Sequence, residues 1–235
     1  MRSLSAWELL TLWEQGAAQS TSARALALLS ACGEGPPERV EHLPIGRRDA
    51  LLLELRDRTF GSLVECVATC PRCREAVEVA FRIADVVVPA APGPPECGRL
   101  ETGGGPIAFR LPNSADLSAI ARAADVADAR RQLLARCLLS APPDLPDEIV
   151  RGVEEEMARL DPQANVQLAL ACPHCDHNWE AGLDIAAVFW TEIAAWAQRM
   201  FREVHALASA YGWSERDILG MSAWRRQMYL GLVTG

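Results

Sequence analysis

Two short runs, Cys70-Pro71-Arg72-Cys73 and Cys172-Pro173-His174-Cys175, hold the residue types in this chain best suited to chemistry. In each, the Cys-x-x-Cys spacing lets a tight turn point two thiolates to one side, and the proline stiffens that turn. Four soft sulfur donors in a tetrahedron suit Zn²⁺ and close its coordination sphere, so the expected chemistry is structural rather than catalytic. The residues after the two pairs repeat as well. Val77-Glu78, Phe81 and Ile83-Ala84-Asp85-Val86 correspond to Trp179-Glu180, Leu183 and Ile185-Ala186-Ala187-Val188, so one small unit occurs twice. Cys73 and Cys172 lie 99 positions apart, far beyond the roughly 15–20 residues of a compact two-pair site. The fold must therefore bring the pairs together. A metal bound there would close a long loop and contribute on the order of 10 kcal/mol of apparent binding free energy to folding.

Other chemistries fit the residues less well. Cys172 to Cys175 after a strand resembles a thioredoxin-like redox pair, but Asp176-His177-Asn178-Trp179 is a polar turn leading to a strand, not the helix that would lower a thiolate's pKa. A catalytic zinc keeps an open position, which four cysteines do not leave. Cys66, His174 and His177 are alternative ligands by position, although turn histidines are ordinarily solvated. Cys32, Cys66, Cys97 and Cys137 are expected as free thiols, mostly packed as small hydrophobes. Gly103-Gly104-Gly105 lacks the lysine and following helix of a phosphate loop, and Glu154-Glu155-Glu156 reads as a solvated helix face. No nucleophile and base pair up.

The elements that must position the cysteines come from a chain of 235 residues, half of them apolar and 23% charged, enough for a sizeable core without disulfides. Its net charge is −8, and every basic residue is an arginine, spread without a polybasic stripe. Nucleic-acid binding needs clustered cations and is not expected; it would require a basic face around Arg72, Arg74 and Arg82. The longest apolar stretch, Ile185 to Ala197, is broken by Thr191 and Glu192 and is shorter than the roughly 20 residues of a membrane span. The first residues lead into Trp7, Glu8 and Glu14 rather than an apolar signal segment, which predicts a cytoplasmic protein.

Periodicity predicts an α+β fold: a small antiparallel zinc-ribbon β unit built from two separated Cys-Pro-x-Cys knuckles, flanked and interrupted by helices. Residues 1–61 form a helical region, with two helices over Ser5 to Ala31 and a third over Arg47 to Phe60. Residues 62–112 hold the first knuckle, strands at Leu63 to Ala68, Ala76 to Ile83 and Ile107 to Leu111, and an extended Pro/Gly-rich surface loop before the last of these. Residues 113–161 are an inserted helical region, capped at Asn113-Ser114 and containing a helix from Asp147 to Leu160. Residues 162–184 hold the second knuckle and its strands, Val166 to Ala171 and Trp179 to Leu183. Residues 185–235 are helical, with a long helix ended by Gly212 and caps at Ser214 and Ser222.

Three parts of the chain together carry a resemblance. They are Leu43-Pro44-Ile45-Gly46-Arg47-Arg48-Asp49-Ala50-Leu51-Leu52 with Thr59-Phe60-Gly61, the two Cys-Pro-x-Cys pairs, and the ending Glu203-Val204-His205-x-Leu207-Ala208-x-x-Tyr211-Gly212-Trp213-Ser214-Glu215-x-Asp217-Ile218-Leu219 with Arg225-Arg226. The combination resembles the T-even-family baseplate hub assembly chaperones found in loci for contractile phage tails and related injection systems. The resemblance implies a non-enzymatic, zinc-stapled assembly protein that works on baseplate or tail hub proteins, with no small-molecule substrate, membrane or nucleic acid as partner. Tyr211, Trp213, Arg225 and Arg226 are the candidate docking residues, because aromatics and arginine dominate interface energetics, and the alternative reading is that they pack internally.

Overall fold

A computed structural model describes residues 1–89, 96–140 and 145–234. In chain order these form α1 (Ala6–Gly16), α2 (Thr21–Ala31), α3 (Pro37–Val40), α4 (Ile45–Phe60), β1 (Leu63–Thr69), β2 (Ala76–Arg82), α5 (Ile83–Val86), β3 (Cys97–Leu100) and β4 (Ile107–Arg110). Next come α6 (Ser114–Ile120), α7 (Val126–Cys137), β5 (Leu138–Ser140), α8 (Asp147–Leu160), a 3-10 turn (Pro162–Asn165), β6 (Gln167–Ala171), β7 (Asn178–Gly182), α9 (Ile185–Tyr211), α10 (Glu215–Leu219) and α11 (Ala223–Thr234). The chain divides into two units, one of residues 1–34 with 186–235 and one of residues 35–185.

The first unit is helical. At the start of α1, Ser5 Oγ accepts the Glu8 N–H at 3.3 Å and the Glu8 carboxylate accepts the Ser5 N–H at 2.9 Å, a reciprocal cap. Arg2 also bonds Glu8, and chiefly this contact lowers the Glu8 carboxyl to about 2. Along α9 the buried residues Phe189, Ile193, Ala197, Met200 and Leu207 recur at three- and four-residue steps and make one stripe. Leu10, Ala197, Met200 and Leu219 form the core, with Trp13, Trp196 and Val204 packed against it. Trp190 lies so close to Gly16 that a Cβ there would meet its Cη2 at 2.2 Å. Arg24 covers the same indole at 4.6 Å from the ring centroid while its Nε donates to the Gly16 carbonyl.

In the second unit, α4 buries Leu51, Leu52, Leu53 and Leu55. Pro44 stands at its N-cap and offers no capping side chain. The carboxylate of Asp161, 115 positions further on, takes that role by accepting the Gly46 N–H at 2.8 Å. The contact is possible only without a side chain at 46, since a Cβ would fall 2.0 Å from Asp161 Oδ1 and 2.8 Å from the Ala164 backbone nitrogen. Gly46→Ala should therefore destabilise the chain by about 2–4 kcal/mol in chemical denaturation, from overpacking and a lost cap together. A neutral substitution would show that the 3-10 turn does not bear on α4.

Strand order in the central sheet of this unit is β3-β4-β5, all antiparallel, and Phe109 on β4 is fully buried. Ile107, Phe109, Leu111 and Val153 of α8 form its core. Here the structure corrects the expected extended loop. Residues 90–95 lie outside the described residues, but Cys97–Leu100 is a strand, and Thr102 to Gly105 is the turn that returns it to β4, with Gly105 N–H donating to Thr102 O at 3.0 Å. β3 has little apolar alternation of its own, so its pairing with β4 rather than its composition makes it a strand. The two knuckle hairpins also differ from a continuous ribbon: β1–β2 and β6–β7 are separate two-stranded sheets.

Candidate metal centre

Each hairpin delivers its cysteines by the same backbone device. In the first, Thr69 pairs with Ala76, the Cys70 N–H donates to Glu75 O at 2.9 Å, and the Arg74 N–H donates to Cys70 O at 2.9 Å. In the second, Ala171 pairs with Asn178, the Cys172 N–H donates to His177 O at 2.9 Å, and the Asp176 N–H donates to Cys172 O at 3.0 Å. Arg74 and Asp176, each four residues after the leading cysteine, are the two non-glycine residues in the left-handed region among the described residues, with φ of 66° and 54°. The repeat seen in the sequence is thus a repeat of turn geometry.

The four sulfurs converge. Cys70 Sγ lies 3.7 Å from Cys175 Sγ, Cys73 Sγ lies 3.5 Å from Cys172 Sγ, and all four are within 4.8 Å of one another. Disulfide sulfurs would be about 2.05 Å apart. A tetrahedral metal with sulfur bonds of about 2.3 Å has sulfur–sulfur edges of about 3.8 Å, which these separations approach. Cys70 and Cys172 are buried, Cys73 and Cys175 partly so, and Val77 and Trp179 complete an apolar wall. Burial works against a Cys70 thiolate, but N–H groups of Cys73 and Arg72 directed at its sulfur outweigh it and bring the pKa down to about 6. Cys73 receives the Glu75 N–H, yet burial and the neighbouring sulfurs push it up to about 12. Four thiolates this close repel unless a cation sits among them, so the donor set, spacing and N–H contacts all fit a metal.

His174, His177 and Cys66, the alternative ligands by position, do not join the sulfur group among the described residues. His177 contributes its carbonyl and stacks its ring on Trp179. Cys32 and Cys137 are buried, Cys66 is partly buried and Cys97 is exposed. Arg82 shares one face of the first hairpin with Glu65 and Glu78 by register, and Arg72 and Arg74 lie in its turn beside Glu75, so acidic residues accompany the three arginines. Cys175 leads into a polar turn and β7 rather than a helix, so the redox reading has no support.

At the C-terminal end, Tyr211, Trp213 and Tyr229 form an aromatic cluster, with Tyr211 stacked on Trp213 at 4.5 Å. Arg225 is exposed and lies over the Tyr229 ring at 5.7 Å. Arg226 is buried and binds Glu203 at 3.1 Å and the Met221 carbonyl at 2.7 Å, so it fastens α11 to α9. Trp224 on α11 is 74% exposed, and Met228 and Leu232, which sequence reasoning missed, follow it and are 55% and 73% exposed. Their four-residue spacing on α11 was the available signal.

No helix among the described residues is long and apolar enough to cross a membrane. The fold and site define an α+β protein of two units, one carrying a four-cysteine cluster able to hold a metal. The family described as T4 bacteriophage base plate protein matches residues 8–141, more than half of the chain, and the chain belongs to that family. The match extends over β1, β2 and the first cysteine pair but ends before the second. Membership points to a structural role with protein partners in a phage baseplate. No curated protein and no solved structure matches the chain.

Proposed function

We propose that this chain is a non-enzymatic, zinc-binding assembly factor or component of the baseplate of a contractile phage tail or related injection particle, working on baseplate or hub proteins. The observation that carries it is the convergence of four sulfurs at near-tetrahedral spacing in a chain of the baseplate family. Cys70, Cys73, Cys172 and Cys175 hold one Zn²⁺. The ion supplies a fixed four-coordinate crosslink between the hairpins, and the backbone N–H groups at each turn stabilise the thiolates.

The docking surface lies on the C-terminal helices. Tyr211 and Trp213 build its aromatic base, Trp224, Met228 and Leu232 form an apolar row along α11, and Arg225 stands exposed beside that row. Arg226 keeps the helix in place for this purpose. A helix presenting such a row suits an apolar groove on another protein. Co-expression with the hub protein of the same locus should yield a complex that Trp224→Asp combined with Leu232→Asp weakens by about tenfold or more, since the loss of two large apolar contacts exceeds about 1.4 kcal/mol. Metal content should not change in this variant. Undiminished co-purification would place the docking surface elsewhere.

A further inference from the structure

We infer that Trp179 is the cover of the sulfur cluster and sets how fast a bound metal exchanges with solvent, an inference that rests on the metal reading above. The leading cysteines, Cys70 and Cys172, are buried, whereas the trailing pair, Cys73 and Cys175, are partly exposed. An incoming water or chelating group therefore meets the metal from the side of the trailing sulfurs, and the first thiolate to leave is Cys73 or Cys175. The group standing over that side decides the rate.

The residue seven positions after each leading cysteine faces the cluster. In the first hairpin this is Val77, opposite Ala68, and in the second it is Trp179, opposite Leu170. Val77 is buried, with 7% of its surface exposed, and its side chain is small. Trp179 is only partly buried and, like Cys73 and Cys175, packs against the buried set of Cys70, Val77 and Cys172, so it borders both the cluster and solvent as the trailing sulfurs do. The His177 ring lies parallel to it, with an interplanar angle of 4° and centroids 6.2 Å apart. The hairpins repeat each other in backbone, but the cover is large on one side only. Trp179 is also the single tryptophan between residues 35 and 185, so it reports on the site without competing signal from that unit.

The test uses the full chain loaded with Co²⁺, whose thiolate charge-transfer and ligand-field bands identify four-sulfur coordination, and with Zn²⁺ for transfer to a chromophoric chelator. Trp179→Ala should leave the cobalt bands unchanged and speed zinc release by about tenfold, the rate factor that corresponds to about 1.4 kcal/mol of lost aromatic packing. Trp179→Phe should restore a near wild-type rate. Trp179→Leu, which keeps an apolar hairpin face, should give an intermediate rate and serves if the alanine variant does not fold. Release from Trp179→Ala or Trp179→Leu at the wild-type rate with unchanged cobalt bands overturns the inference alone. A wild-type chain that takes up no cobalt overturns the metal reading, and this inference with it.

Discussion

Stripping the metal from the purified chain should lower its melting temperature by roughly 10–30 °C, with the loss falling on residues 35–185. The size follows from two considerations. Crosslinking positions about 100 residues apart removes roughly 4.7 kcal/mol of chain entropy from the unfolded state, and structural zinc in small peptides contributes more than that. Each hairpin has only two strands, too few for independent stability, and each ends in a cluster of sulfurs that repel once ionised. The unit of residues 1–34 and 186–235 draws no ligand from this set and has its own core of Leu10, Ala197, Met200 and Leu219, so much of the helical signal should survive. Elemental analysis should give one zinc per chain. Cys172→Ser should match the chelated wild type in melting temperature, while Cys97→Ser, at an exposed thiol away from the cluster, should keep both metal and stability. A chain that is purified without metal and melts cooperatively at a temperature indifferent to added zinc would falsify the crosslink.

The knuckles were legible in the sequence because their physics is local. A proline after the leading cysteine, the two-residue gap and the polar turn specify a six-residue loop regardless of what surrounds it, and the copy at Cys172 exposed the plan by repetition. Helices with local stop signals were equally plain. α8 begins at Asp147 and ends at Leu160 as its acidic first turn and the following Asp161-Pro162 indicate, and α9 ends at Tyr211, just before Gly212, whose φ of 68° a side chain would resist. Contributions from far along the chain were not legible. Leu138 continues the apolar rhythm of α7, yet it pairs with Phe109 as the start of β5, because an edge of β4 was available to it. Asp161 reads as a helix stop and also caps α4. Arg225 and Arg226 are alike in sequence, but neighbours on a helix point about 100° apart, so one meets solvent and the other Glu203.

Asp116→Ala should destabilise the second unit by about 3 kcal/mol and reduce its dependence on acid pH. The side chain is fully buried, with a carboxylate that gathers three elements. Arg110 of β4 binds it with two nitrogens at 2.5 and 2.7 Å, Arg136 of α7 donates Nε at 2.9 Å, and the Asn113 N–H caps α6 through it at 3.1 Å. Its removal leaves two guanidinium groups and a helix start without their acceptor. Both arginines retain some access to water, which keeps the expected loss at the low end of the range for a broken buried pair. Burial alone would raise the Asp116 pKa, but bonds from Arg110, Asn113 and Arg136 outweigh it and hold the carboxyl below its ordinary 3.8. The unfolded chain therefore binds the proton first as acid is added. The stabilisation is complete above pH 3.8 and is lost as pH falls through the lower folded value. Asp49 in the same unit runs the other way. Burial raises it to about 6, so its contribution is greatest below its ordinary 3.8 and fades as pH rises toward 6. The difference in unfolding free energy between wild type and Asp116→Ala, measured by denaturant titration from pH 7 to pH 2.5, cancels Asp49 and should be flat above about pH 4 and shrink below it. A difference that stays constant down to pH 2.5 would show that the arginines hold these elements together without the charge of Asp116.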